Sequence, residues 1–262
     1  MTVTMDRQAL WSAVDHQRAA VADLLASLEP AEWSAPSLCT RWTVREVAAH
    51  LTLQELRPRD MLARLPIMLR ARGDLDRAIH DMAVARVAEA GDAELVARIR
   101  ATVGSRRHNP GVTRLETLTD ILVHAQDIAI PLGRELAMPP GPAAVAATRM
   151  WTMRWPRPFP IKRTLRHFRL TATDADWSNA AWSVHPAPAS ASPSASASAP
   201  TPASAAAAAS VGTAGEVPSV EGPMGALLML TCGRTAVLPL LSGPGLAQLT
   251  AALTPAAGPT RG

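Results

Sequence analysis

Four stretches within the first 133 residues repeat apolar side chains at helical spacing, and each is fenced by a start or a stop signal. From Asp6 to Leu28 the stripe is Leu10, Val14, Val21, Leu24, Leu25 and Leu28, and Pro30 ends it. A loop rich in Ser and Pro, Glu32 to Arg41, separates it from the next. Thr43 opens the second helix and Glu46, three residues on, completes a capping box. That helix is expected to run through Val47, His50, Leu51 and Leu53 to about Leu65. The third begins after Gly73 with Asp74 as its cap, carries a break at Gly91-Asp92, and ends near Gly104. The fourth runs from about Thr113 to Ile130, stopped by Pro131 and Gly133. Four helices joined by short connections imply an up-down four-helix bundle, placed here at residues 1–139.

After Pro139 the pattern changes. A short helix, Pro142 to Trp155, leads to a strand-like run, Phe168 to Thr173, in which Phe168, Leu170 and Ala172 alternate with polar neighbours. His185 to Gly215 is then almost wholly Ala, Ser, Pro and Thr. Carrying no fixed charge and nothing large to bury, it is expected to be a disordered insertion at about 186–215. Ordered sequence resumes at Val217, with helices expected around Met224–Leu230 and Gly245–Leu253. The second half therefore reads as a small α+β domain over 140–256, interrupted by that insertion, and the whole chain as α+β.

Composition narrows the function classes. A hydrophobic fraction of 48% supports a buried core, and the formal net charge is only +4. Lys162 is the sole lysine, so the positive charge is almost all arginine. The densest basic segment, Arg154 to Arg169, reads as a crossing between domains that enters a strand, and no nucleic-acid partner is expected. Cys39 and Cys232 lie far apart and suggest neither a disulfide framework nor a Cys-based zinc site. Met1 to Gln8 lacks the apolar core of a signal peptide, and Gly233, Arg234 and Pro239 interrupt the longest apolar run, Ala226 to Leu241. The expectation is a cytoplasmic protein with no membrane partner, a monomer or weak dimer.

The chemistry gathers on the fourth helix. Glu116, Asp120, His124 and Asp127 fall at i, i+4, i+8 and i+11, one polar stripe opposite the apolar stripe Leu115, Leu118, Leu122, Ala125 and Ala129. An Asp-x-x-x-His pair sets a carboxylate oxygen and an imidazole nitrogen one turn apart, close enough to share an ion. A further ligand has to come from another helix, and His50 sits mid-helix between Ala49 and Leu51. Two histidines and one carboxylate with an open fourth position suit zinc or a similar divalent ion in a catalytic-type site. The same spacing also fits a solvated face with weak ion pairs and a core histidine at position 50. His16, His80, His108, His167 and His185 show no such partnering and read as surface or loop residues.

The segment Ser37-Leu38-Cys39-Thr40-Arg41-Trp42-Thr43-Val44-Arg45-Glu46-Val47-Ala48-Ala49-His50-Leu51 resembles the signature of the mycothiol-dependent maleylpyruvate isomerase family, within the broader DinB-like metal-binding bundles. Asp120-Ile121-Leu122-Val123-His124-Ala125-Gln126-Asp127-Ile128 is similar to a second block of that family, as is Pro131-Leu132-Gly133-Arg134 after it. A third runs from Leu170 to Ser178, continues in Val220-Glu221-Gly222-Pro223, and ends in the Gly233-Arg234 pair. The resemblance implies a DinB-like bundle followed by a small sterol-carrier-like α+β domain. It implies a metal, usually zinc, on His50, Asp120 and His124, with Asp120 where the best-known members carry Glu. Asp127 is then either an alternative ligand or the group that orients His124.

What the resemblance implies for activity is thiol chemistry on a small electrophilic substrate, with mycothiol as the thiol cosubstrate. A free thiol is only a few per cent ionised at neutral pH, and coordination to zinc removes its proton. Release of the adduct would make the protein a thiol transferase; expulsion of the thiol after bond rotation would make it an isomerase. The thiol is expected from outside, since neither cysteine belongs to the metal stripe. Arg234 is the candidate for a substrate carboxylate, which a guanidinium grips with two parallel hydrogen bonds, and it reads equally as a structural cation at a helix end. Two other uses of the same bundle stay open, a non-catalytic metal- or thiol-binding stress or sensor module and a metal-dependent hydrolase.

Overall fold

The structure, a computed structural model, describes residues 4–56, 58–153, 160–182 and 217–254. The expected Ala/Ser/Pro insertion and His185 lie outside the described residues.

Helix α1 (Arg7–Ala26) starts at Asp6, whose carboxylate accepts hydrogen bonds from the amides of Gln8 and Ala9. Helix α2 (Val44–Leu51) begins at the expected Thr43/Glu46 capping box. It stops at Leu51 and does not continue to Leu65. The chain turns through residues 52–55 and Pro58 opens a separate helix, α3 (Pro58–Arg70). Proline lacks an amide donor and is favoured in the first turn of a helix, so Pro58 acts as a start signal. Helix α4 (Leu75–Glu89) starts at Asp74, and α5 (Asp92–Arg100) follows the break at Gly91. Helix α6 (Arg114–Ala129) opens with a second capping box, Thr113/Glu116. Six helices thus stand where the apolar stripes suggested four.

Beyond α6 come α7 (Pro140–Thr152), α8 (Ile161–Leu165), strand β1 (Arg169–Ala172), strand β2 (Ser219–Gly222), α9 (Met224–Thr231) and α10 (Leu246–Leu253). The strands pair in parallel, with Arg169 opposite Ser219 and Ala172 opposite Gly222. The described chain is therefore mostly helical with one small two-stranded sheet, an α+β arrangement. Gly222 and Gly243 are obligatory at this sheet edge: a Cβ on Gly222 would lie 2.6 Å from Leu241 Cδ2, and Gly243 holds φ at +109° against Ser219. No described helix is long and apolar enough to cross a membrane.

Helix α6 lies at the centre. Leu118, Ile121, Leu122, Ala125 and Ile128 are buried between α1, α2 and α7, and a continuous apolar cluster extends from Leu10 on α1 to Leu249 on α10. Alanines 143, 144, 146 and 147 keep α7 slim between α6 and α9. Truncating a fully buried leucine such as Leu118 or Leu122 to Ala in such a core costs about 2–5 kcal/mol. A buried arginine also sits within the apolar packing. Arg18 on α1 donates from Nη1 to the carbonyls of Thr102 (2.7 Å) and Ser105 (3.1 Å) and pairs with Glu55 at 3.5 Å, fastening the α5–α6 connection to α1 and to the turn after α2.

Candidate metal centre

His50 sits in the last turn of α2, and Asp120 and His124 lie one turn apart on α6, which packs against it. Nε2 of His50 lies 3.3 Å from Oδ1 of Asp120, and Nε2 of His124 lies 3.4 Å from the same oxygen. The two rings stand nearly perpendicular with centroids 4.8 Å apart. Each residue offers one ligand atom, and the three atoms lie within 4.8 Å of one another. The structure therefore brings together the three residues expected as ligands. Trp42 stands edge-on to His50, with centroids 5.8 Å apart, and forms a wall beside the imidazole.

The opposite nitrogen of His124 meets a different set. Nδ1 lies 2.9 Å from Oδ2 of Asp127, whose side chain is fully buried. Arg234 grips the same carboxylate with a fork, Nε to Oδ1 at 2.9 Å and Nη2 to Oδ2 at 2.6 Å, and its Nη1 donates to the Cys232 carbonyl. The fork expected to hold a substrate carboxylate is thus taken up by Asp127. Asp127 in turn has no oxygen directed at the Nε2 cluster, since Oδ1 is held by Arg234 and Oδ2 is shared by Arg234, His124 and Cys39. The stripe on α6 is not a solvated face: its fourth member is in the core. Its first member, Glu116, caps its own helix and pairs with Arg149 on α7 at 2.5 Å, away from the centre.

Two participants escape the stripe pattern. The thiol of Cys39 donates to Asp127 Oδ2 at 3.1 Å, accepts from Arg234 at 3.3 Å, and lies 3.6 Å from His124 Nδ1. Cys39 was expected outside the site; the loop Ser37–Trp42 folds it inward, closed by Ser37 N to Trp42 O (2.9 Å) and docked by Leu38 N to Asp127 O (3.1 Å), with Arg41 turning the chain at φ +68°. A second three-residue group, Cys39, His124 and Asp127, therefore shares His124 with the first. Gln54, in the turn after α2, donates from Nε2 to Asp120 Oδ2 at 2.5 Å. Its spacing of four from His50 is the signal that could have found it. His80 also departs from expectation: it is half-buried on α4 and tilted against Trp42, with centroids 5.0 Å apart.

The electrostatics follow from these contacts. Burial works to raise the Asp120 carboxyl, but the two facing imidazoles outweigh it and hold the group well below its ordinary value. Burial works to lower His124, but Asp120, Asp127 and Cys39 hold the imidazole well above its ordinary value. Asp127 is held low against its burial by His124 and Arg234. Burial pushes the neighbouring Cys232 thiol up to about 12, which keeps it protonated and inert.

A divalent ion fits this donor set. An ionised carboxylate only accepts hydrogen bonds, so the proton between His124 and Asp127 resides on Nδ1. In the neutral ring Nε2 then presents a lone pair toward Asp120 Oδ1, which also carries lone pairs, and His50 Nε2 approaches that oxygen as well. Positive charge has to lie between them. A proton supplies it in one state, and a cation coordinated by two nitrogens and one oxygen supplies it in another.

Residues 14–111 match the family model described as mycothiol maleylpyruvate isomerase N-terminal domain. That stretch, from within α1 to the connection before α6, is similar to this family's N-terminal domain. The match takes in Cys39, His50 and Gln54 and ends before α6, so the α6 half of the centre stands on its own geometry. Comparison with curated proteins and with solved structures gave no match.

Proposed function

We propose that the chain is a metal-dependent enzyme of low-molecular-weight thiol chemistry, a mycothiol-dependent transferase or isomerase acting on a small electrophile in the cytoplasm. The observation that carries the reading is the convergence of two imidazole Nε2 atoms on one oxygen of Asp120, at 3.3 and 3.4 Å. The similarity of residues 14–111 to the mycothiol maleylpyruvate isomerase N-terminal domain supports the thiol side of it. His50, His124 and Asp120 would hold the ion, and two nitrogens with one oxygen suit zinc with a position left for an exogenous ligand. Such an ion supplies positive charge that makes a thiol ionise at neutral pH.

The protein's own groups prepare that place. Asp127 accepts a hydrogen bond from Nδ1–H of His124 and so commits Nε2 to the centre, the arrangement by which a carboxylate fixes the tautomer of a metal-binding histidine. Arg234 holds Asp127 in register from the C-terminal half of the chain. Trp42 shields one side of His50 from water. We assign Asp127 and Arg234 as positioning residues that act through His124, and Cys39 as a resident partner of Asp127. The thiol that reacts comes from a cosubstrate.

Two measurements test the reading together. Protein purified without added ions should carry about one zinc-like ion per chain, the stoichiometry of a single three-ligand site. Turnover of a panel of small electrophiles should then depend on added mycothiol. Hydrolysis at a rate indifferent to thiol would instead establish the hydrolase alternative.

A further inference from the structure

The two oxygens of Asp120 have different partners. Oδ1 faces both imidazoles, whereas Oδ2 accepts from Gln54 Nε2 at 2.5 Å. An aspartate carboxylate rotates easily about its last torsion, so nothing in the residue itself sorts the oxygens this way. Gln54 is only 9% exposed, and the turn that bears it is pinned on several sides. Leu53 N donates to His50 O at 2.8 Å. Asn109 brackets the turn, donating from Nδ2 to Leu53 O at 2.7 Å and accepting from Leu56 N at 2.8 Å. Ser105 donates to Glu55 at 2.6 Å. The backbone that carries Gln54 is thereby held on both sides, which fixes the place from which its amide reaches Asp120.

The geometry points to Gln54 as a positioning residue that keeps Asp120 a one-oxygen ligand. This rests on the metal reading of the centre. With Oδ2 occupied by an N–H donor, the protein offers the ion three atoms: His50 Nε2, His124 Nε2 and Asp120 Oδ1. Were Oδ2 free, the carboxylate could close on the ion with both oxygens and fill the position an external thiol needs. Gln54 thus keeps a coordination place open from a residue that makes no contact with the ion. The amide suits this task, since it donates to the carboxylate without bringing a charge.

The test uses the full chain loaded with Co²⁺ as a spectroscopic probe and Zn²⁺ in competition. Wild-type protein should show the intense visible absorption of a four-coordinate Co²⁺ site. Gln54→Met, close in volume but without the donor, should lose much of that intensity as the second oxygen joins. Its metal affinity should change by roughly 10- to 100-fold, the range typical of lost outer hydrogen bonds to ligands, with its thermal midpoint little moved. Should Gln54→Met fail to fold, Gln54→Glu decides, because a carboxylate facing Oδ2 also removes the donor and should alter the Co²⁺ spectrum. A wild-type spectrum and affinity in the folded variant would overturn the role of Gln54 while leaving the metal reading intact. Failure of the wild-type protein to bind either ion would overturn the metal reading itself.

Discussion

The two ring nitrogens of His124 look onto opposite kinds of surroundings. On the Nδ1 side an acid, an arginine and a thiol satisfy one another in the core, and Asp127 is completely buried among them. On the Nε2 side two imidazoles and a half-buried acid crowd together, and among the described residues no arginine or lysine pairs with Asp120. Asp120 and Asp127 lie seven residues apart on one helix, yet one carboxylate is spent on structure and the other is left facing two imidazole nitrogens. The difference is made by what reaches each from elsewhere in the chain: Arg234 for Asp127, and the neutral amide of Gln54 for Asp120.

The largest expected effect breaks the Nε2 side. His50→Ala and His124→Ala should each take the metal content from about one ion per chain to none, and Asp120→Asn should weaken binding strongly by removing the ligand charge. His16→Ala, on the exposed face of α1, should leave it unchanged. Elemental analysis of these four variants and of Asp127→Asn is decisive. If Asp127→Asn loses the ion while Asp120→Asn keeps it, the roles of the two acids are reversed.

A second effect, on stability, belongs to the Nδ1 side. Asp127→Asn leaves Arg234 as a buried charge without its counter-ion, a change that costs about 3–5 kcal/mol in comparable buried pairs. In urea unfolding of the metal-free protein it should exceed the loss caused by Asp120→Asn. It should also change the acid limb of the stability curve. The Asp127 carboxyl is depressed in the folded state, so its stabilisation is complete above the unfolded value of about 3.9 and fades as pH falls through the folded one. Below about pH 4 the wild-type protein should therefore lose stability more steeply than Asp127→Asn. Parallel curves would show that the pair contributes nothing.

The smallest expected effect sharpens the boundary between the two sides. Cys39→Ser exchanges one donor to Asp127 for another and should cost no more than about 1 kcal/mol. Metal content should stay at the wild-type level. Loss of the ion in this variant would place it instead in the Cys39, His124 and Asp127 group.

What was legible in the sequence was local. The Thr43/Glu46 capping box, the start of α6 at Thr113 and the break at Gly91 depend on residues within one turn of each other, and they stand where the sequence put them. The Asp120–His124 pairing is likewise a matter of helical spacing. The end of α2 was misread because Leu62 and Leu65 continue its apolar rhythm, yet these side chains are 70% and 46% exposed, and Pro58 was the signal that outweighed them. Arg234 and Cys39 were not legible in their present roles. They reach Asp127 across 107 and 88 residues, through loops whose course no periodicity describes. Glu116 matched the stripe but lies in the first turn of its helix, where a cap competes for it and wins.

The connection between α5 and α6 carries more obligations than a loop of its length usually does. Thr102 and Ser105 give their carbonyls to Arg18, the Ser105 hydroxyl meets Glu55, and Asn109 staples the backbone on either side of Gln54. Its residue count is in effect a measured spacer. One residue more or fewer between Thr102 and Asn109 would move the staple away from the turn it closes, even though no side chain of that loop touches Asp120. Lineages that descend from this chain should tolerate substitutions along the spacer far better than length changes, and an engineer seeking a new chain opening or a fusion point should look elsewhere.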